Sequence, residues 1–209
     1  MTEPTGCASI LIDSQGRNMI AVAAGANLGA CSDIVDDGPI SKASAVVMQM
    51  ENDPAQIEGL MRRVRNVGGR SILNLAPAFL LGRESLSSCD LIIVNEDEAE
   101  ALAGWMACDP SVQDLSTCLN ITDTVGAMER KPLLTAKGFL LLHCWSKSAT
   151  LRQLGDCFVG VLASALDRVL SNKAAVGRAV TAAGISCSRG GSQSSIPFAA
   201  ETDQWRLQA

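Results

Sequence analysis

The sequence contains no tyrosine, and three Trp with four Phe bring its aromatic content to only 3%. A core built without aromatics has to be aliphatic, and the 47% hydrophobic content supplies one of Leu, Ile, Val, Ala and Met. That composition suits a parallel sheet covered by helices better than an aromatic-rich sandwich. Basic excess is also missing. The formal net charge is -5, which argues against a nucleic-acid partner, because phosphate backbones are held by clustered Lys and Arg. The densest basic run, Arg62-Arg63-Val64-Arg65, reads as the solvated face of a helix. The 8 Cys include no C-x-x-C pair, and His143 is the single histidine, a pattern that speaks against a zinc site. His143 itself sits in an apolar run and reads as a core residue. Unpaired thiols point to a reducing cytoplasm. The opening M-T-E-P-T has neither the basic start nor the apolar run of a signal peptide, and no apolar stretch reaches membrane-spanning length.

A chain of 209 residues is expected to form one domain, and its local signals alternate between strand and helix. Residues 8–13 and 19–24 read as a β-hairpin, closed by Gly25-Ala26-Asn27, where Gly makes a positive φ cheap. Residues 32–44 are polar and read as a connection or short helix. Residues 45–50 suit a buried strand. Asp53 then stands at an N-cap with Pro54 at the first helical position, and Ile57, Leu60, Met61 and Val64 keep helical spacing up to Gly68-Gly69. A strand at 71–75 completes a βαβ unit. Residues 90–94 form a further strand that runs into Asn95 and Glu98, which have capping-box spacing before a short helix ending at Gly104. Asn95 and Glu98 lie at a strand's carboxyl end, where ligands of open α/β sheets bind, although a plain capping box accounts for both. A helix at 109–119 and a strand at 138–144 follow more weakly.

The chain is organised around residues 153–160 (Q-L-G-D-C-F-V-G), read as a loop turning into a buried helix over 156–170. Gly155 suits the turn and Asp156 the helix start, where free N–H groups can hold an anion beside a carboxylate. A second helix is expected over 173–185. The Gly- and Ser-rich loop 188–197 could wrap an ion or a phosphate with backbone groups.

These stretches, in this order, resemble the ribokinase-like (PfkB) sugar kinases. Residues 5–8 (T-G-C-A), Asp13 with Gly16 and Asn18, and 24–27 (A-G-A-N) are similar to that family's T-G-x-A, D-x-x-G-x-N and x-G-A-N. Residues 49–51 (Q-M-E), 73–78 (L-N-L-A-P-A), 94–104 (V-N-E-D-E-A-E-A-L-A-G), 155–160 (G-D-C-F-V-G) and 191–197 (G-S-Q-S-S-I-P) continue the match. The resemblance implies a three-layer α/β/α fold with a mostly parallel sheet. A lid or hairpin remnant would span 5–27 and an α/β body 45–203. It implies ATP-dependent phosphorylation of a sugar hydroxyl, ribose by the matched segments, with Mg²⁺ and a stimulating monovalent cation such as K⁺. Asp156 would be the base, with Gly155 beside it at the anion hole. Asn95 and Glu98 would position Mg²⁺ and phosphate through water, Glu51 would reach the sugar, Thr135 and Gly138 would flank the nucleotide, and Gly191 with Ser195 would line the cation loop.

The pattern departs from the family in three places. Its opening section has no counterpart, which is expected to leave sheet edges open to self-association. Thr150 and Gln153 replace the first Asp and first Gly of D-T-T-G-A-G-D. The nucleotide loop around residues 134–138 is shortened. The alternative left open is a catalytically inactive fragment that serves as a nucleotide-binding or protein-association module.

Overall fold

The computed structural model describes residues 3–14, 18–107, 124–125, 134–135, 138–142 and 151–208. The helix expected at 109–119, His143, and the signature residue Thr150 lie outside the described residues. The chain divides into two compact units: residues 1–9 with 21–143, and residues 10–20 with 144–209. Near its start, β1 (Cys7–Ile12) and β2 (Asn18–Ala23) pair as a two-stranded sheet, as the alternating runs predict.

In the first unit, β3 (Val46–Gln49), β4 (Ser71–Asn74), β5 (Leu91–Asn95) and β8 (Gly138–Leu142) form one sheet in that order, every pair parallel. Between β5 and β8, the short strands β6 (Thr124–Val125) and β7 (Leu134–Thr135) pair antiparallel with each other. The central strands are buried on both faces. Leu73, Ile92 and Val94 join the main core, while Ile72 and Ile93, which alternate with them, are equally inaccessible. Such two-sided burial explains why these strands read as continuous apolar runs rather than alternating ones.

Helices α1 (Asp37–Lys42), α2 (Pro54–Asn66), α3 (Arg83–Ser88) and α4 (Glu96–Met106) occupy the connections of this unit. The start of α2 is the predicted one: the Asp53 carboxylate accepts the Ala55 N–H at 2.9 Å, with Pro54 following. Its buried stripe is Ile57, Met61 and Val64, of which Ile57 and Met61 share a core with Met48, Leu73 and Leu86. Helix α4 runs past Gly104 to Met106, two residues beyond the sequence reading. Burial of Leu102, Ala103 and Met106 outweighs the weak helix propensity of one solvent-facing glycine, and the helix ends on Ala107 in the left-handed region. The segment 83–88, which carries no periodic signal, is helical because Leu86 is drawn into the core. Cys89 lies in that core, and burial pushes its thiol up to about 12, so it acts as a small hydrophobe.

The second unit contains α5 (Leu151–Asp167), α6 (Asn172–Cys187) and α7 (Ala199–Gln208). Helices α5 and α6 pack along each other; Phe158, Leu162, Ala165, Ala175, Ala179 and Ala182 are buried on them, and the small side chains permit close approach. The expectation that α5 is buried almost all round needs correction: Asp156, Gly160, Ser164 and Asp167 form an exposed stripe. Ser171 caps α6 by accepting the Ala174 N–H. Arg178, largely buried on α6, pairs with Asp203 and donates to the Ala199 carbonyl, and Arg189 pairs with Glu201; together they hold α7.

Candidate functional site

Polar side chains collect where the strands of the parallel sheet end. Gln49, Asn74 and Asn95 are the last residues of β3, β4 and β5, and Gln49 is in register with Asn74. Strands lie about 4.8 Å apart and Asn95 stands two residues beyond Ile93, the register partner of Asn74, so the ends of β3 and β5 are separated by roughly 12 Å. Each side chain ends an apolar run that sheet burial dictates, so the fold itself aligns this polar edge.

At the β3 end, Glu51 lies two residues past the strand and shares an open cavity of about 340 Å³ with Asn27, Gln49 and Asn52; Ile57 and Leu60 of α2, with Val47 and Met48 of β3, supply its apolar wall. That volume falls at the lower end of small-molecule clefts, about 300–1,000 Å³. Asn27 comes from the 3₁₀ turn Gly25–Gly29. Gly25 has φ +52°, as the turn chemistry predicts, and a Cβ there would meet the Pro4 carbonyl oxygen at 2.4 Å. The Ala26 N–H donates to that same carbonyl at 2.8 Å. A Cβ on Gly6 would approach the Ala24 carbonyl oxygen to 2.5 Å and the Asn27 amide nitrogen to 3.1 Å. The T-G-C-A and A-G-A-N segments therefore pack backbone on backbone, and glycine is required in both.

At the β5 end, Asn95 and Glu98 form a complete capping box. The Asn95 side-chain oxygen accepts the Glu98 N–H at 2.8 Å, and the Glu98 carboxylate accepts the Asn95 N–H at 2.8 Å and its side-chain amide at 3.0 Å. Burial raises Glu98 to about 7; the Asn95 backbone bond opposes that rise and the neighbouring Asp97 charge adds to it. Burial disfavours the ionised form, a nearby cation would favour it, and the carboxylate oxygens retain lone pairs that can accept from a hydrated cation.

The other predicted site residues take the following places. Thr135 pairs with Thr124 across β6 and β7, and Gly138 opens β8 opposite Leu91. Asn95 is level with Leu142, four positions further along β8, so Gly138 stands roughly 13 Å from the carboxyl edge. In the second unit, Ser195 is fully buried; its hydroxyl lies 2.8 Å from that of Ser186 and donates to the Ser192 carbonyl. Gly191 has φ +101°, and a Cβ on it would collide with the Ser194 hydroxyl.

Asp156 requires a correction. It does not start a helix: α5 begins at Leu151, and Asp156 is its sixth residue, exposed. The amino end is therefore displaced by five residues, roughly 7–8 Å. Within an α-helix the N–H groups of Gly155 and Asp156 bond to the carbonyls of Leu151 and Arg152, so they are not the free donors of a helix terminus. The reason is local. Leu151, Arg152, Gln153 and Leu154 are good helix formers, and Gly155 takes ordinary helical backbone with no steric neighbour.

Sequence reasoning underrated Arg63. It is not a solvated charge. Its guanidinium donates to the carbonyls of Ser32 and Val35 and to the Asp37 carboxylate, the first and last at 2.5 and 2.6 Å. Its partners lie 26 to 31 residues away, so no local spacing signals them.

The chain is 31% identical to the ribokinase of Haemophilus influenzae over 212 residues, covering 96% of this chain and 68% of that protein. It is 30% identical to the ribokinase of Mus musculus over 209 residues, covering 93% of this chain and 64% of the relative. Among solved structures, a ribokinase from Thermotoga maritima aligns over 100% of this chain and 71% of its own, with TM-score 0.78 and 26% identity. The chain thus spans about two thirds of the length of these relatives, and it shares the parallel α/β fold that the sequence predicts. No family model matches it.

Proposed function

Because the chain belongs to the ribokinase family of carbohydrate kinases, we propose that its residues serve ATP-dependent transfer of the γ-phosphoryl group to a hydroxyl of D-ribose. The observation that carries this reading is the convergence of Asn27, Gln49 and Glu51 on one open cavity at the carboxyl edge of the sheet. A carboxylate accepts from two sugar hydroxyls, and an amide both donates and accepts, which suits a polyol.

Asn95 and Glu98 fit a hydrated Mg²⁺, since burial and the neighbouring Asp97 charge disfavour the bare carboxylate and a cation would offset both. Bound with ATP, the ion would neutralise phosphate charge. Asp156 would accept the proton of the attacking hydroxyl from its exposed place on α5, and Thr135 and Gly138 would contribute to nucleotide binding. Gly191 and Ser195 would shape a monovalent-cation loop, for K⁺ as the resemblance implies; the internal bonds of the Ser195 hydroxyl leave mainly backbone groups to face such an ion. Free thiols suit a reducing cytoplasm. The test is ADP release measured with and without D-ribose. Native protein should show ribose-dependent turnover, and Asp156→Asn should lower it about 10²–10⁴-fold. Equal ATP consumption in both conditions overturns the catalytic reading.

A second reading is favoured by one observation, the start of α5 at Leu151. With the Gly155 and Asp156 amides bonded inside the helix, the chain would bind nucleotide and sugar without catalysis, or associate with protein. Among the described strands β3 is an edge of the parallel sheet, which suits self-association. Calorimetric heat on adding ATP–Mg²⁺ and ribose without turnover selects this reading, and light scattering checks the self-association.

A further inference from the structure

We propose that Gln56, Gly59 and Arg63 on α2 act as a clamp that fixes the arm of the cavity carrying Asn27, and so set the shape of the pocket at Glu51. The proposal deepens the sugar-site reading and rests on it. The arm runs from the 3₁₀ turn Gly25–Gly29 through a second one, Ser32–Ile34, to α1. Its near end is held by the glycine contacts with residues 4–6 described above. Its far end is held by α2 in three ways. The Gln56 side-chain oxygen accepts the Ser32 N–H at 2.9 Å. Gly59 gives the Ser32 side chain room, because a Cβ there would lie 3.0 Å from the Ser32 hydroxyl. Arg63 donates to the Ser32 carbonyl, the Val35 carbonyl and the Asp37 carboxylate, using Nε and both terminal nitrogens.

Residues 56, 59 and 63 share one face of α2, while Ile57 and Leu60 of the same helix line the cavity. One rigid helix therefore carries both the cavity wall and the fastening of the opposite arm. The first docked residue, Ser32, is five residues from Asn27, close enough that freeing it frees the Asn27 turn at its carboxyl side. These residues are positioning residues: they touch the arm, and the arm alone reaches the cavity. Arg63 suits the role because a planar guanidinium meets three acceptors in a fixed fork, which an ammonium cannot.

The test compares native protein with Arg63→Ala, Arg63→Lys and Gln56→Ala by amide hydrogen exchange of residues 26–37 and by the Asn27 side-chain amide resonance. Thermal melting and D-ribose affinity are measured alongside. Arg63→Ala should speed exchange in 30–37 at least tenfold, shift the Asn27 amide resonance, and weaken ribose binding about tenfold while kcat at saturating ribose changes little. Arg63→Lys should restore only part of each, and Gln56→Ala should give a smaller shift in the same direction. Unchanged exchange in Arg63→Ala overturns the clamp. Faster exchange with an unmoved Asn27 resonance overturns its effect on the pocket. If native protein binds no ribose, the sugar-site reading fails, and exchange and resonance still decide the clamp. If Arg63→Ala does not fold, Gln56→Ala is judged by the same readings.

Discussion

Glu98 donates its backbone N–H to the side chain of Asn95 and returns a carboxylate oxygen to the Asn95 N–H, both at 2.8 Å. That reciprocal pair joins the end of β5 to the start of α4, and so fixes one half of the polar edge on which the functional reading depends.

Removing it should cost the stability of an N-cap. Asn95→Ala should destabilise the protein by about 1 kcal/mol in denaturant unfolding. The pair also sets a pH dependence. Glu98 titrates at about 7 when folded, against an ordinary 4.5, so the folded state holds the proton more tightly. Its contribution to stability is full below about pH 4.5 and is lost as the pH rises through 7. Stability should decline across that window, and Glu98→Gln should flatten the decline. An unchanged slope in Glu98→Gln would remove Glu98 as its source.

Val169 ends α5 with φ +59°, its N–H donating to the Leu166 carbonyl and that of Leu170 to Ala165, and its side chain is 91% exposed. A β-branched residue is strained there, and glycine is not. Val169→Gly should stabilise the protein by about 1 kcal/mol, read as a raised midpoint at unchanged m-value.

Two glycines separate the two uses of this residue. Gly25→Ala places a Cβ against the Pro4 carbonyl at positive φ and should destabilise by about 1–2 kcal/mol or more, dislodging Asn27. Gly155→Ala meets nothing within 4 Å inside α5 and should stabilise by about 0.5–1 kcal/mol. Loss of stability in Gly155→Ala would contradict the helix start at Leu151.

Much of the scaffold was legible because its signals are local. Asp53-Pro54, the Asn95–Glu98 spacing and Gly25 each specify a cap or turn within four residues, and each takes the predicted form. What the sequence hid is decided at longer range. Arg63 finds Ser32 and Asp37, 31 and 26 residues away, and no local pattern shows such partners. Residues 83–88 become helical only because the core accepts Leu86. The start of α5 went astray for a different reason. The Gly-Asp pair looks like a turn and a cap, yet four helix formers precede it, and propensity upstream prevails.

The central claim is that the cavity at Glu51 holds the sugar. Calorimetric titration of D-ribose into native protein and into Glu51→Ala, with ATP–Mg²⁺ present, tests it most directly. The account predicts saturable binding by native protein, weakened at least tenfold in Glu51→Ala, with melting behaviour unchanged. Equal ribose affinity in the two proteins, or no binding by either, would contradict it.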